Sequence, residues 1–449
     1  MPSPQARAAA AHRRPYRTLL ATFLAYKLYL FAIAFGSSVV GDAYDTSAGL
    51  VVGGAGSSNG FGGAGLSGTR GRGIGLVARL ASWDAVYFTS IARRGYRFEQ
   101  EWAFNGGLPL AVAGVVKGLG RLGVAESAAG GVLPEALAGI FVANTAHLLS
   151  ALVLYRLGLE VWHDQALALV AAILHILSPA GLFLSAPYAE SSCALLTFSG
   201  YLLFARARRA GQSPIGRDGY TILSGILFGL ATACRSNGIL NGIPFAWEVL
   251  RHLPRLSQRP VDTVRRLSAL GVGGVCVGAG SIVPQAVAYL RFCSGASGLE
   301  PRPWCQGYLP SIYAFVQQHY WNTGFLRYWT VSNIPLFLLA TPMLLVLAKS
   351  GVEFLTTRRL LTADTSAVPA RLLPLVQSAA AAQVLLALLV LTSYHVQIIT
   401  RISSGSPLWH WWLAGSLIRG EKLGRRLVMF MVIYGSVQGV LFASFLPPA

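Results

Sequence analysis

Charged side chains are scarce in this chain of 449 residues. Asp, Glu, Lys and Arg make up 12% of it, and the 17 acidic residues are outnumbered by 36 Lys and Arg. A soluble globular domain carries about 25% charged residues, so this composition argues against an ordinary soluble fold. Hydrophobic residues account for 54% of the chain, which excludes a disordered protein.

Cysteine is also sparse, and the five cysteines follow no metal-binding or two-residue-gap redox spacing. The His, Asp and Glu residues likewise show no spacing that demands a metal, so we predict no metal site. Only Cys293 and Cys305 lie close together in a polar stretch. If that stretch faces an oxidising lumen, we expect a disulfide between them, and otherwise they are two unrelated thiols.

The excess of basic residues gives a formal net charge of +19. A nucleic-acid-binding protein carries such charge on a soluble face, whereas here it falls in short gaps between apolar blocks, which argues against a nucleic-acid partner. Short cytoplasmic loops of membrane proteins are enriched in Lys and Arg. We therefore predict that five basic stretches lie on the cytosolic side of the membrane: 1–17, 206–217, 251–266, 349–371 and 419–426.

A helix needs about 20 apolar residues to cross a membrane. Apolar blocks of about this length occur at 18–40, 136–156, 165–187, 267–292, 372–393 and 427–446. Shorter segments must cross between the basic stretches, and residues 219–250 are predicted to form two short helices that turn at 235–238. We predict an all-α polytopic membrane protein with about 11 transmembrane helices and a long first luminal loop.

The predicted organisation has alternating membrane and luminal regions. In chain order these are a basic cytosolic N-terminus (1–17), a first transmembrane helix (18–40), a luminal loop (41–135), a transmembrane bundle (136–292), a luminal aromatic loop (293–333) and a C-terminal transmembrane bundle (334–449). Within the first luminal loop, the Gly-rich run at 48–75 is predicted to be a flexible insert without chemistry, because it has few large side chains to bury.

The unusual polar clusters all fall on the predicted luminal side, at 82–88, 185–192, 235–238, 302–333 and 395–401. This grouping indicates a luminal site for an amphiphilic substrate. Asp84 follows Trp83 in a segment, 79–94, whose pattern predicts one helix lying along the membrane interface. A carboxylate in that position is a candidate general base, and the alternative is a helix cap or a solvated interfacial Asp.

Several other side chains are candidates for binding a substrate. Arg235 lies at membrane depth, where a guanidinium suits a phosphodiester; the alternative is that it pairs with a carboxylate such as Glu190. Glu190 itself either orients Arg235, binds sugar, or is only a helix N-terminal acid. The remaining candidates are Tyr188, Asn237, Trp304, His395, Gln397 and Arg401.

Several separate motifs, in the same order, make the chain resemble the PIG-V family of mannosyltransferases from about residue 44 to the C-terminus. These motifs are WDAVYF at 83–88, SAPYAES at 185–191, ACRSNG at 233–238, PWC at 303–305 and YWNTGFLRYW at 320–329. The chain departs from the family pattern in the Gly-rich run at 48–75 and in the segment 104–109, which leaves substrate contacts in that segment open.

The resemblance implies a GT-C membrane glycosyltransferase of the endoplasmic reticulum. Such an enzyme takes mannose from dolichol-phosphate-mannose, needs no cofactor or nucleotide sugar, and attaches the second mannose of the glycosylphosphatidylinositol (GPI) precursor in an α-1,6 linkage with inversion. In the family the Trp-Asp pair is associated with activity, and it corresponds here to Trp83 and Asp84. The resemblance leaves open whether a small accessory membrane subunit is required.

Two other functions remain open at this stage. A polytopic transporter or flippase of a lipid-linked sugar has the same hydrophobic architecture, although it needs polar groups facing both leaflets. A GT-C mannosyltransferase acting on an N-glycan precursor has the same chemistry with another acceptor.

The mechanism we expect is one displacement, in which Asp84 removes a proton from the acceptor hydroxyl while Arg235, with His395 or Arg401, neutralises the departing phosphate.

Overall fold

The computed structural model describes residues 14–40, 69–122, 131–209, 211–294, 302–356, 368–444 and 446. Over these ranges the chain is helical, without a β-strand. Most of the predicted cytosolic N-terminus and residues 48–68 of the Gly-rich run lie outside the described residues. Residues 69–75, which we expected to be flexible, belong to a helix instead.

The described residues form 16 α-helices. They are α1 (Pro15–Val40), α2 (Thr69–Leu80), α3 (Asp84–Arg94), α4 (Gly107–Arg121), α5 (Leu133–Trp162), α6 (Gln165–Ile176), α7 (Glu190–Arg206), α8 (Pro214–Cys234), α9 (Ile243–His252), α10 (Pro260–Phe292), α11 (Ile312–His319), α12 (Ile334–Thr356), α13 (Leu373–Ser393), α14 (Ile399–Ile402), α15 (Leu408–Ile418) and α16 (Lys422–Ala443). Single 3₁₀ turns connect several of them, at Glu99–Ala103, Gly181–Leu184, Ser236–Gly242, Leu253–Arg255, Pro303–Gln306, Val331–Asn333, Val396–Ile398 and Ser403–Gly405.

In the described part of the chain, 6 helices are long and apolar enough to cross a membrane. They are α1, α5, α10, α12, α13 and α16, which match apolar segments predicted from the sequence. The expectation of an all-helical, multi-pass membrane protein is therefore confirmed. The count of about 11 crossings stays a prediction.

Two predicted segments are not continuous helices. The block 165–187 was predicted as one span, but α6 ends at Ile176 and a packed 3₁₀ turn follows. Pro179 disfavours helical backbone in the residue before it, and Gly181 has a φ of +51°, which a helix does not allow. The segment 79–94 is likewise divided, because Trp83 has a φ of +59° between α2 and α3.

The predicted turn at 235–238 is confirmed, and the packing of α8 against α10 positions it. Gly229 on α8 and Gly280 on α10 let the two backbones touch, since a Cβ on Gly229 would overlap the carbonyl oxygen of Cys276. Small residues serve this purpose between membrane helices, where close packing replaces the hydrophobic effect. After α8 ends at Cys234, Arg235 is extended and the 3₁₀ turn Ser236–Gly242 leads into α9.

Beyond the end of α10, the polar loops are joined by a disulfide and by ion pairs. Of the two alternatives left open for Cys293 and Cys305, the structure shows the disulfide. Arg302 donates two hydrogen bonds to Glu99, and the indole nitrogen of Trp304 donates a third to the same carboxylate at 2.8 Å. We call Glu99, Arg302 and Trp304, together with the ion pair of Arg94 and Glu101, the loop clamp.

The loop clamp makes the stability of these loops depend on pH. Burial by itself raises the pKa of both carboxyl groups, but hydrogen bonds from Arg302 and Arg94 outweigh it, so the pKa values of Glu99 and Glu101 lie below the ordinary range. Because the folded pKa is below the unfolded one, the stabilisation is fully present above about pH 5 and is lost as the pH falls through the folded value.

We expect Glu99→Gln to destabilise the loops at neutral pH by about 2 kcal/mol, since the charged hydrogen bonds are lost. Limited proteolysis at neutral pH and at pH 3 measures this effect. At neutral pH the variant should be cut faster than the unaltered protein, and its cleavage rate should rise less between neutral pH and pH 3. Asp262→Asn is the control, because Asp262 is exposed at the start of α10. If the cleavage rates of the Glu99→Gln variant and the unaltered protein depend on pH in the same way, Glu99 does not contribute to the pH dependence of these loops.

Candidate active site

A cavity of about 620 Å³ opens between the turn after α8, α10, α13 and the irregular segment 395–402. Eight of the ten side chains predicted from the sequence line it, which are Trp83, Asp84, Tyr188, Arg235, Asn237, His395, Gln397 and Arg401. The structure therefore brings together residues from distant motifs. Glu190 lies directly behind two of them, and Trp304 does not line the cavity.

Four charged side chains form a continuous network on one wall. Nη2 of Arg401 lies 3.1 Å from Oδ2 of Asp84, and its Nε lies 2.8 Å from Oε1 of Glu190. Nη1 of Arg235 donates to the same Glu190 oxygen at 2.8 Å. Glu190 is fully buried, whereas the side chain of Asp84 is 38% exposed to the cavity. Two carboxylates thus balance two guanidinium groups, and only Asp84 presents an open carboxylate face.

The interruption between α2 and α3 at Trp83 positions Asp84. Trp83 carries a positive φ of 59°, a conformation that costs a residue with a side chain about 1–3 kcal/mol and occurs most often at functional sites. This break starts α3 at Asp84, so the carboxylate lies in the first turn, where the helix dipole favours negative charge. Its side chain pairs with Arg401, and the N-cap residue of α3 is Trp83, so Asp84 is not the cap of this helix.

Aromatic rings support Arg401 from behind. Its guanidinium lies 4.1 Å from the ring centre of Phe183 and 4.9 Å from that of Tyr188. Tyr188 is wholly buried, and its hydroxyl donates to the carbonyl of Ser82 at 3.1 Å, two residues before Asp84. We expected Tyr188 to bind substrate, but its position suits it to hold Arg401 and the Asp84 turn in place.

The irregular segment contributes neutral polar groups. Oε1 of Gln397 accepts a hydrogen bond from the hydroxyl of Tyr328 at 3.1 Å, and the edge of the same ring packs against His395. Burial lowers the pKa of His395, while the charge of Asp84 acts in the opposite direction. The imidazole is therefore neutral at neutral pH and suited to hydrogen bonding.

The prediction that Trp304 contacts substrate is not supported by its position. Its side chain is buried in the loop clamp against Phe292, next to the disulfide, and its one polar atom is used by Glu99. The motif that contains Trp304 therefore holds the loops beyond the cavity together. An indole with a satisfied N–H in an apolar cluster is a structural anchor.

Sequence reasoning missed several polar residues that line the cavity. Gln285 on α10 accepts from Ser311, and Tyr313 exchanges a hydrogen bond with Ser236 at 2.9 Å. Asn105 donates to the carbonyl of Thr232 and so ties the loop after α3 to α8. A Gln directly after Pro284 in an apolar span is a detectable signal, because a polar side chain there needs a partner.

Part of the cavity lining is apolar. Leu386, Leu389 and Val390 of α13 and Leu336 of α12 line the same cavity as the charged network. A lining of both kinds suits a substrate that joins a polar, anionic group to a hydrocarbon chain. Among the described residues, no group of three or more His, Cys, Asp or Glu side chains is arranged to hold a metal ion.

The fold and the site thus define a multi-pass membrane protein with one partly exposed carboxylate beside two partly buried guanidinium groups. The sequence matches the family described as "Mannosyltransferase (PIG-V)" over residues 74–449. The chain belongs to this family, and it is therefore a mannosyltransferase of GPI-anchor biosynthesis. The resemblance drawn from the motifs is confirmed.

Curated relatives match the chain over nearly its whole length. It is 63% identical to GPI mannosyltransferase 2 of Chaetomium globosum, covering 98% of this chain and 97% of that protein. It is 41% identical to GPI mannosyltransferase 2 of Gibberella zeae, covering 97% and 98%. A crystal structure of the Archaeoglobus fulgidus oligosaccharyltransferase with Zn and sulfate covers 79% of this chain and 48% of that one, at 14% identity. Its TM-score of 0.39 is too low to define the fold.

Proposed function

We propose that this mannosyltransferase moves mannose from dolichol-phosphate-mannose to the first mannose of the GPI precursor. The linkage would be α-1,6, with inversion of the donor's β configuration, and no cofactor would take part. The observation that carries the proposal is the open carboxylate of Asp84, 3.1 Å from Arg401, in a cavity that is lined by both charged and apolar side chains.

The proposed reaction is one displacement. Asp84 accepts the proton of the acceptor's 6-hydroxyl as that oxygen forms a bond to the anomeric carbon of the donor. The bond between the anomeric carbon and the phosphate oxygen breaks, and its electron pair leaves with dolichyl phosphate. Charge develops on the anomeric carbon in an oxocarbenium-like transition state, as in other glycosyl transfers.

The two arginines would hold the phosphate. A guanidinium has five N–H donors, and Glu190 uses only some of those on Arg235 and Arg401. The remaining donors can meet the phosphate oxygens as negative charge builds up on the leaving group. The neutral His395 and Gln397 offer hydrogen bonds to sugar hydroxyls on the same side of the cavity.

The apolar side chains of α12 and α13 in the cavity lining would receive the first isoprene units of the dolichol chain, which reaches the cavity from the membrane. This arrangement requires the cavity to face the lumen of the endoplasmic reticulum, and the distribution of the basic stretches supports that orientation. A GT-C architecture with about 11 crossings is part of this proposal.

Complementation tests the proposed function. The chain is produced in a cell that lacks the second GPI mannosyltransferase, and its GPI intermediates are separated by chromatography after mannose labelling. We expect the single-mannose intermediate to disappear and surface GPI-anchored proteins to return. If the single-mannose intermediate persists although the protein reaches the membrane, the acceptor assignment is wrong. A change confined to lipid-linked oligosaccharides would instead identify an N-glycan precursor as the acceptor.

A further inference from the structure

A second cavity, of about 450 Å³, lies at the other end of the helix bundle from the active site. Helix α7 joins the two ends, since it starts at Glu190 behind the catalytic network and ends at Arg206 in the wall of this cavity. At 1.5 Å per residue, the two residues are about 24 Å apart along the helix axis. The cavity therefore has no part in the mannose transfer.

Its walls carry an excess of positive charge. Four guanidinium groups line it, those of Arg156, Arg206, Arg209 and Arg371, together with the carboxylate of Glu160. We call these five residues the basic pocket. Arg209 holds Glu160 through two parallel hydrogen bonds, which uses the single negative charge. In the part of the chain that the structure describes, no carboxylate pairs with the other three guanidinium groups.

Part of the Arg206 side chain is shielded from solvent, so the basic pocket differs from a fully solvated surface patch. Its Nε atom is buried, and among the described residues it has no hydrogen-bond partner. A buried N–H without an acceptor costs about 1–3 kcal/mol, so this position of Arg206 is maintained against an energetic cost. The backbone that carries Arg371 is fixed as well, because Arg208 donates to its carbonyl at 3.0 Å.

The surroundings of the pocket indicate that its ligand is a lipid. The guanidinium of Arg156 lies over the ring of Tyr16 at the start of α1. Leu149 lies two helical turns before Arg156 on the same face of α5 and is 42% exposed, and Leu20 and Leu24 of α1 are exposed as well. Apolar surface facing the membrane thus runs directly to the cationic groups.

We propose that the basic pocket binds the phosphate of an anionic phospholipid in the leaflet opposite the active site. Guanidinium groups match phosphate oxygens through paired hydrogen bonds, and basic pockets between membrane helices are typical sites for anionic headgroups. The bound phosphate bridges the ends of α5 and α7 to the segment before α13. Anionic lipid therefore stabilises the packing of the first helices against the C-terminal ones.

The test uses the purified full-length chain in nanodiscs of phosphatidylcholine, with and without phosphatidylserine. We expect phosphatidylserine to raise the thermal midpoint and to remain bound in native mass spectrometry. The variant Arg156→Gln/Arg206→Gln should bind phosphatidylserine about 30-fold more weakly, from about 1 kcal/mol per arginine near an anionic lipid. The control Arg255→Gln/Arg259→Gln removes the same charge from exposed positions outside the pocket and should bind as the unaltered protein does.

Equal weakening in the pocket variant and the control would overturn the proposal, because it would show that only the overall charge matters. A further arm adds inorganic phosphate to the phosphatidylcholine nanodiscs. We expect no rise in the thermal midpoint, and a rise as large as that given by phosphatidylserine would contradict the lipid assignment. These measurements do not involve mannose transfer, so their outcome does not depend on the proposed function.

Discussion

Replacing Asp84 with Asn is expected to reduce mannose transfer by about 10²–10⁴-fold, the usual contribution of a general base. The amide cannot accept the hydroxyl proton, although it has nearly the shape of the carboxylate. The ion pair with Arg401 is also lost, but Asp84 is 38% exposed, so water can replace its carboxylate, and Arg401 keeps its hydrogen bond to Glu190; the protein should therefore remain folded. Transfer is measured in membranes with labelled donor, at matched protein amounts determined by immunoblotting.

Asp164→Asn is the matched control for this substitution. Asp164 also lies at the start of a helix, where its carboxylate caps α6 by accepting from the backbone N–H of Leu167 at 2.9 Å. Asn caps a helix about as well as Asp, so this variant should keep full activity. Normal transfer by the Asp84→Asn variant would remove Asp84 from the mechanism.

Replacing Glu190 with Gln is expected to have the second large effect, on both stability and activity. Glu190 is the buried carboxylate shared by Arg235 and Arg401, and its removal leaves two guanidinium groups with only Asp84 to balance them. Breaking a buried ion pair from one side costs about 3–5 kcal/mol. We expect less protein in the membrane, a lower thermal midpoint in detergent, and loss of transfer.

A second variant separates the charge imbalance from the lost function. In Glu190→Gln/Arg235→Met one charge of each sign is removed, so the protein amount should recover while transfer stays low because a phosphate-binding group is missing. Glu135→Gln is the control, since Glu135 is also buried in the first turn of a helix, α5. Full transfer by the doubly substituted protein would show that the network does not contact the substrate.

The sequence predicts those features that depend on neighbouring residues. Runs of apolar side chains located the spans, and the break after α8 followed from polar residues at membrane depth. The pairing of Arg235 with Glu190 was one of two alternatives, and the structure shows that pairing within a cavity wall. The disulfide was likewise one of two alternatives for two cysteines in one polar stretch, and the structure shows the bond.

Other features depend on contacts between distant parts of the chain. The contact of Asp84 with Arg401 joins residues 317 positions apart, and no local pattern specifies it. The turn at Trp83 requires a backbone conformation that Trp rarely adopts, so only tertiary packing selects it. The position of Trp304 also depends on a distant contact, because its partner Glu99 lies 205 positions away.

A direct transfer assay tests the central claim, that this one cavity joins a dolichol-linked mannose to a GPI acceptor. Membranes in which this chain is the sole second GPI mannosyltransferase receive labelled dolichol-phosphate-mannose and a GPI acceptor with a single mannose, and the product linkage is read by linkage-specific mannosidase digestion. The account predicts an α-1,6-linked second mannose that appears with the dolichol donor and not with GDP-mannose when dolichol-phosphate-mannose synthesis is blocked. Transfer from GDP-mannose under that block, or a product of β configuration, would contradict it.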